Sequence, residues 1–132
     1  MKRIVITGAT SMIGIALISK ALQSNEIKKV YAVVRPGSEK MNRLVDAPRI
    51  QVISCECSNY STLEKLISEK CDVFYHLAWP RTATYQEYYD DIIEKCKNIR
   101  VELEAVNVAS KLGCSKFVGA GPSLNMELLH RG

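Results

Sequence analysis

A short turn near the start of the sequence carries the residues best suited to bind an anion. The apolar run Ile4–Ile6 predicts a buried strand, and from Met12 onward apolar residues recur at helical spacing. The segment from Thr7 to Ser11 supplies small residues where the chain must turn sharply between them. Backbone N–H groups at the start of a helix lack partners and carry partial positive charge, so they attract phosphate. The pattern therefore predicts a phosphate-binding turn.

Two glycines frame this turn. We expect Gly8 to make the turn itself and Gly14 to let the helix pack closely on the strand. A plain strand-to-helix connection without a ligand is the alternative interpretation. The turn opens the first βα unit of an alternating chain, and this context favours dinucleotide binding. The candidate cofactor-binding residues here are Gly8, Thr10, Ser11, Met12, Ile13 and Gly14.

The end of the second predicted strand bears on the choice of dinucleotide. In dinucleotide-binding folds an acidic residue at this place bonds the ribose 2′-hydroxyl of NAD. Here the strand Val30–Val34 is followed by Arg35, whose guanidinium suits a 2′-phosphate. An ordinary surface arginine is the other interpretation. We expect NADP, with NAD as the alternative.

Apolar patterns place the remaining elements that would position these residues. They predict strands at Ile50–Ser54, Asp72–Ala78 and Lys116–Gly119, and helices over 12–24 and 86–112. Two apolar rows run along the long helix: Ile92, Cys96, Ile99, Leu103 and Val106, and a second of Val101, Ala105, Val108 and Leu112. Gly113 should end that helix. A capping box of Ser61 and Glu64 predicts another helix, with a buried stripe of Leu63, Leu66 and Ile67.

The turn resembles the glycine motif of the extended short-chain dehydrogenase/reductase family, T-G-A-x-G-x-I-G, with Ser11 in place of the middle glycine. Serine is small, and its hydroxyl is expected to bond a phosphate oxygen. Asp72–Ala78 is similar to the family's D-V-V-F-H-L-A-A, and the long helix and fifth strand also match, so the resemblance covers residues 3–121. It implies an α/β fold with a Rossmann-type doubly wound parallel sheet, about five strands in the order 3-2-1-4-5.

The same resemblance implies further contacts with the cofactor. Glu56 and Cys57 stand where the family's chain meets the adenine ring. Leu77, Ala78 and Trp79 stand at the end of the fourth strand, beside the nicotinamide ribose. Trp79 departs from the small residue that is usual there.

Catalysis in this family depends on a Y-x-x-x-K pair, in which lysine lowers the tyrosine pKa for proton transfer. None of the six tyrosines has a lysine four residues later, so we assign no catalytic residue. Three functions remain open. They are an epimerase or dehydratase truncated before the pair and inactive alone, an NADP-sensing or protein-interaction module, and a small reductase using Tyr85 or His76. We expect His76 to be a packed strand residue, because its neighbours are apolar.

Composition narrows the class of protein. The 132 residues predict one domain, 1–121, followed by a short tail, 122–132. The net charge of +4 is dispersed, which argues against nucleic-acid binding, and no apolar run is long enough to span a membrane. Five cysteines without a secretory leader predict reduced thiols and a cytoplasmic location. The spacing of Cys55 and Cys57, with His76 and His130 far apart, predicts no metal site.

The fifth strand would form an apolar sheet edge, because too few residues follow it for another crossover. We therefore expect a homodimer formed through this strand or the long helix. The alternative is that residues 123–129 form one or two helical turns that cover part of the edge.

Overall fold

A computed structural model of the chain describes residues 1–78, 92–119 and 126–127. Its strands are β1 Lys2–Thr7, β2 Ile27–Val34, β3 Ile50–Ser54, β4 Val73–His76, β5 Lys116–Gly119 and β6 Met126–Glu127. Its helices are α1 Met12–Gln23, α2 Leu63–Leu66 and α3 Ile92–Lys111, with 3₁₀ turns at Met41–Arg43 and Cys57–Thr62. The predicted beginning of the long helix, residues 86–91, lies outside the described residues.

The strands form one sheet in the order β3-β2-β1-β4-β5-β6. The first five are parallel, which confirms the predicted order 3-2-1-4-5. A short sixth strand, β6, runs antiparallel to β5, with Phe117 opposite Met126. The expected helical turn is therefore wrong at Met126 and Glu127, where the backbone instead pairs with the edge of β5. The other residues of the predicted tail lie outside the described part of the chain.

Alternation along the central strands sends side chains to two cores, one on each face of the sheet. Ile4 and Ile6 of β1 pack with Ile18 and Ala21 of α1. Val5, between them, belongs to the opposite core. That core contains Tyr31, Val33, Tyr60, Leu63, Ile67, Phe74, Val101, Ala105, Val108, Ala109, Leu112 and Phe117. Helices therefore cover both faces, as the doubly wound architecture requires.

The structure shows which of the two apolar rows of α3 is buried. The row containing Val101, Ala105 and Val108 is buried, whereas Ile99 is 57% exposed and Leu103 is 63% exposed. Both rows have helical spacing, so periodicity alone could not choose between them. The small side chain of Ala105 allows a close approach of the helix to its neighbours, and this favours the observed row. Gly113 ends the helix at φ +82°, as predicted.

The segment before β4 also differs from its prediction. The α-helical part is one turn, Leu63–Leu66, and Ser61 lies in the preceding 3₁₀ turn, so the capping box is not formed. Instead, the Thr62 hydroxyl donates to the carbonyl of Asn59 at 2.7 Å. Leu63 and Ile67 are buried as predicted, but Leu66 is 48% exposed.

Within the described residues, no helix combines the length and apolar character needed to cross a bilayer.

The different environments of Leu63 and Leu66 give a matched test of this packing. We expect Leu63→Ala to lower the free energy of unfolding by about 3 kcal/mol, because it removes a fully buried side chain and leaves a cavity. Leu66→Ala, one turn away, should cost less than about 1 kcal/mol. Urea denaturation measures both, and equal losses would contradict the observed burial.

Candidate functional site

The turn after β1 is shaped by a close contact between two strand ends. Gly8 adopts φ +64°, a conformation that glycine accepts readily. A Cβ atom built at Gly8 would lie 2.7 Å from the backbone nitrogen of Ala78, just after β4. Glycine is therefore required here both by backbone conformation and by the approach of a neighbouring backbone.

Ser11 caps the helix that follows. Its hydroxyl accepts the N–H of Gly14 at 3.0 Å and donates to the carbonyl of Gly8 at 2.7 Å. Its backbone is extended, at φ −69° and ψ 164°, so the position needs no glycine. That this hydroxyl bonds a phosphate stays a prediction. Its proton is already donated within the turn, so an incoming phosphate would meet the backbone N–H groups first.

Gly14 lets α1 pack against the turn, as predicted. A Cβ at this position would lie 2.5 Å from the carbonyl oxygen of Gly8 and 2.7 Å from that of Ala9. A side chain at Gly14 would therefore disturb the fold itself, before it affected any ligand.

A groove of about 800 Å³ lies beyond this turn, at the carboxyl ends of the parallel strands. Eight of the predicted site residues line it together: Gly8, Thr10, Ser11, Arg35, Glu56, Cys57, Leu77 and Ala78. Met12 and Ile13 are exposed at the start of α1 and are not among the described lining residues. Trp79 lies outside the described residues.

One end of the groove is basic. Arg35 directly follows β2, and Ser38 and Lys40 line the groove with it. Sequence reasoning missed Ser38 and Lys40. Their place in the loop after the second strand was the available signal, but nothing local to the sequence shows that this loop folds back toward the strand end.

The wall after β3 combines polar and apolar groups. Cys57 is half-buried, and its thiol lies 3.7 Å from the hydroxyl of Tyr60. Burial raises the pKa of Tyr60, so this phenol stays protonated at neutral pH. Burial also raises the pKa of the Cys55 thiol, which disfavours a reactive thiolate.

A buried hydrogen-bond network lies beneath the groove and joins β1 to β4. The Thr7 hydroxyl lies 2.8 Å from Nδ1 of His76, and it accepts the N–H groups of Leu77 at 3.1 Å and Ala78 at 3.2 Å. His76 is buried, as predicted, and its ring packs edge-on against Tyr60. Burial lowers the pKa of His76 to about 4, so the imidazole is neutral at physiological pH.

Sequence reasoning also missed Asn98 on α3. It is 7% exposed, and both heteroatoms of its amide are buried without a hydrogen-bond partner among the described residues. Its helical neighbours Lys97 and Val101 line the groove. Buried amides usually have partners, so an unsatisfied one calls for an explanation. An asparagine on the apolar row with Val101 and Ala105 was the signal in the sequence.

The described residues bring no acid–base pair for proton transfer into the groove. Tyr31 contacts Lys29 and Glu69, but none of these three residues lines the groove. Tyr31 and Tyr60 are buried, and Tyr85, one of the acids considered for a small reductase, lies outside the described residues together with Tyr88 and Tyr89. No group of three His, Cys, Asp or Glu side chains in the described part of the chain is placed to hold a metal ion.

The sequence profile of the NAD dependent epimerase/dehydratase family matches residues 4–124 of the chain. This range contains the turn, most of β1, the other four parallel strands and the groove residues. The chain belongs to this family. No curated protein matches the sequence.

Solved structures share the fold of this family member. The Bordetella bronchiseptica enzyme WbmG, in complex with NAD and UDP, is 21% identical with a TM-score of 0.70, over 88% of this chain and 36% of that one. The UDP-glucose 4-epimerase of Thermotoga maritima is 20% identical with a TM-score of 0.69, over 89% of this chain and 37% of the epimerase. The chain thus spans little more than a third of the length of these structures.

The environment of His76 predicts how stability depends on pH. The pKa of His76 is lowered from 6.5 to about 4 in the folded protein, so the unfolded chain binds this proton first as the pH falls. We therefore expect the free energy of unfolding to fall progressively below pH 6.5, by up to about 3 kcal/mol near pH 4.

Urea denaturation at several pH values measures this effect, with His76→Asn as the comparison. If the free energy of unfolding falls equally steeply in parent and variant between pH 6.5 and 4, another group causes the pH dependence.

Proposed function

We propose that this chain binds a nicotinamide dinucleotide in the groove, with the pyrophosphate at the N-terminus of α1. The observation that carries the proposal is the contact of the Gly8 backbone with the end of β4, which puts the helix N-terminus and two strand ends around one groove. Ligands of open α/β sheets bind at such carboxyl edges. The membership in an NAD-dependent family and the NAD in the WbmG structure support the same ligand.

The chemistry of the groove residues fits the parts of such a cofactor. The N–H groups of Met12 and Ile13, in the first turn of α1, have no partner within the helix and suit the pyrophosphate. Glu56 and Cys57 would meet the adenine ring. Leu77 and Ala78, followed by Trp79, would lie beside the nicotinamide ribose. When bound, the nicotinamide would supply hydride transfer, whereas the chain's own residues bind and orient it.

NADP is the cofactor that we propose, although the WbmG structure holds NAD. Arg35, Ser38 and Lys40 together offer two cationic groups and a hydroxyl at the end of β2. Three donors at this place suit the three free oxygens of a 2′-phosphate.

This proposal predicts a selective effect of Arg35→Ala. Loss of one charge-assisted contact should weaken NADP binding about 10- to 100-fold and leave NAD binding within about twofold. Arg43→Ala is the matched control, since Arg43 is exposed on the same loop and is not among the described groove residues. Calorimetric titration with both cofactors measures this. An equal loss for NADP and NAD would contradict the assignment.

We further propose that the chain alone binds the cofactor without turnover. The absence of a Y-x-x-x-K pair from the sequence and the burial of His76 support this. A role in sensing NADP or in binding another protein is the second candidate. We propose a cytoplasmic location, supported by cysteines that form no disulfide in the described part of the chain, of which Cys55, Cys71 and Cys114 are buried.

The amide of Asn98, which has no partner in the described part of the chain, predicts opposite effects on folding and binding. Asn98→Leu should stabilise the cofactor-free protein, because it replaces a buried, unsatisfied amide with an apolar side chain of similar size. If the amide serves the cofactor, the same variant should weaken dinucleotide binding by about 10-fold. Thermal unfolding and titration of one sample measure both. Unchanged affinity would show that Asn98 is not a cofactor contact.

The exposed row of α3 supports a proposal on assembly. β6 pairs with part of the edge of β5, and Ile99 and Leu103 are exposed apolar side chains on α3. We propose that two copies associate through this face of α3.

Light scattering across micromolar concentrations tests the assembly. Leu103→Lys should give a monomer, because a charge would enter an apolar interface. Leu66→Lys, at another partly exposed leucine, should leave the assembly unchanged. A parent protein that is monomeric throughout would contradict the proposal.

A further inference from the structure

The network beneath the groove assigns a role to a residue that the proposed function does not use. We infer that His76 is a positioning residue. Its unprotonated Nδ1 holds the hydroxyl proton of Thr7, and the hydroxyl oxygen is thereby left to accept the N–H groups of Leu77 and Ala78 at the groove wall. The effect on the cofactor rests on the proposed function, but the geometry of the network does not.

The protons of the network can be assigned by counting donors and acceptors. The N–H groups of Leu77 and Ala78 can only donate, so the hydroxyl oxygen of Thr7 accepts both, and the Leu77 N–H is shared with the Thr7 carbonyl oxygen at 3.2 Å. The one proton of that hydroxyl is then available for Nδ1 of His76, at 2.8 Å. A proton on Nδ1 would instead bring three donors to one oxygen and leave the hydroxyl hydrogen without this acceptor. The imidazole therefore carries its proton on Nε2.

The surroundings of the ring hold it in this orientation. The ring of Tyr60 packs edge-on against the His76 ring, with the centroids 5.8 Å apart. The ring of Phe117, on β5, stacks on the His76 ring with the centroids 6.1 Å apart. Low exposure of His76 and Thr7 keeps water from competing for either group. The Tyr60 hydroxyl accepts the Cys57 thiol at 3.7 Å and also lies within hydrogen-bonding reach of Thr7, so it is the rival acceptor for the Thr7 proton.

The position of the network explains why it would matter to a ligand. Thr7 directly precedes Gly8, whose backbone touches Ala78, and Gly8, Leu77 and Ala78 all line the groove. The hydroxyl bonds therefore fix the distance between the turn at α1 and the segment after β4. If His76 released the Thr7 proton, the hydroxyl could turn, and one N–H bond at the wall would weaken.

The first measurement uses the parent protein. Nitrogen NMR of ¹⁵N-histidine-labelled chain, assigned with His76→Asn, should show an unprotonated Nδ1 and a protonated Nε2 for His76 at neutral pH. The reverse tautomer would overturn the inference.

A variant series then tests whether His76 acts through Thr7. Asparagine can place a carbonyl acceptor where Nδ1 stands, whereas leucine has a similar shape and cannot accept. We expect His76→Leu to weaken NADP binding by about 2- to 10-fold and His76→Asn to restore it to within about twofold of the parent. Tyr60→Phe, which removes the rival acceptor but keeps the ring, should leave the tautomer of His76 unchanged.

The double variant Thr7→Val/His76→Leu should bind no more weakly than Thr7→Val alone, because the two residues act as one unit. Two results would show that His76 only fills space. One is an equal loss of NADP affinity in His76→Leu and His76→Asn, and the other is a double variant whose loss is the product of the two single losses.

Amide hydrogen exchange without cofactor separates this inference from the proposed function. His76→Leu should speed exchange at Leu77 and Ala78, and His76→Asn should not. A parent that binds no dinucleotide but shows this exchange pattern would refute the proposed function and support the network. If the parent binds the dinucleotide but His76→Leu leaves the exchange rates unchanged, the proposed function is supported and the role of the network is refuted.

Discussion

The close approach of the Gly8 backbone to the segment after β4 is the constraint on which the rest of the site depends. No side chain fits between these two strand ends, since a Cβ on Gly8 would lie within 3 Å of Leu77 and Ala78. The Thr7 hydroxyl ties the same two segments together with hydrogen bonds. Because the contact is made by backbone and buried groups, it holds the N-terminus of α1 at a fixed place on the carboxyl edge of the sheet. A groove with one phosphate-attracting wall follows from it.

Much of this arrangement is local in sequence and could be predicted. The strand, the small-residue turn and the change to helical spacing at Met12 specify the β1–α1 unit, and α1 ends within one residue of its prediction. The strand order could also be predicted, because right-handed crossovers leave few arrangements for alternating strands and helices. The burial of His76 was predictable from its apolar neighbours.

What could not be predicted depends on contacts between distant segments. The two apolar rows of α3 are equivalent as patterns, and packing against the other elements selected the one with Ala105 and Ala109. Ser38 and Lys40 join Arg35 at the groove because of a loop conformation that has no periodic signal. The hydroxyl of Ser11 forms hydrogen bonds with Gly8 and Gly14 in its own turn, and these depend on a backbone geometry that the residue type alone does not specify.

The central claim is that a dinucleotide binds at the N-terminus of α1. Amide NMR spectra of the chain titrated with NADP test it most directly, because each backbone N–H reports its own surroundings. The account predicts saturable shifts at Met12, Ile13 and Gly14, accompanied by shifts at Arg35 and Ala78. Absence of saturable shifts, or shifts confined to the opposite end of the sheet around Lys70 and Gly113, would contradict it.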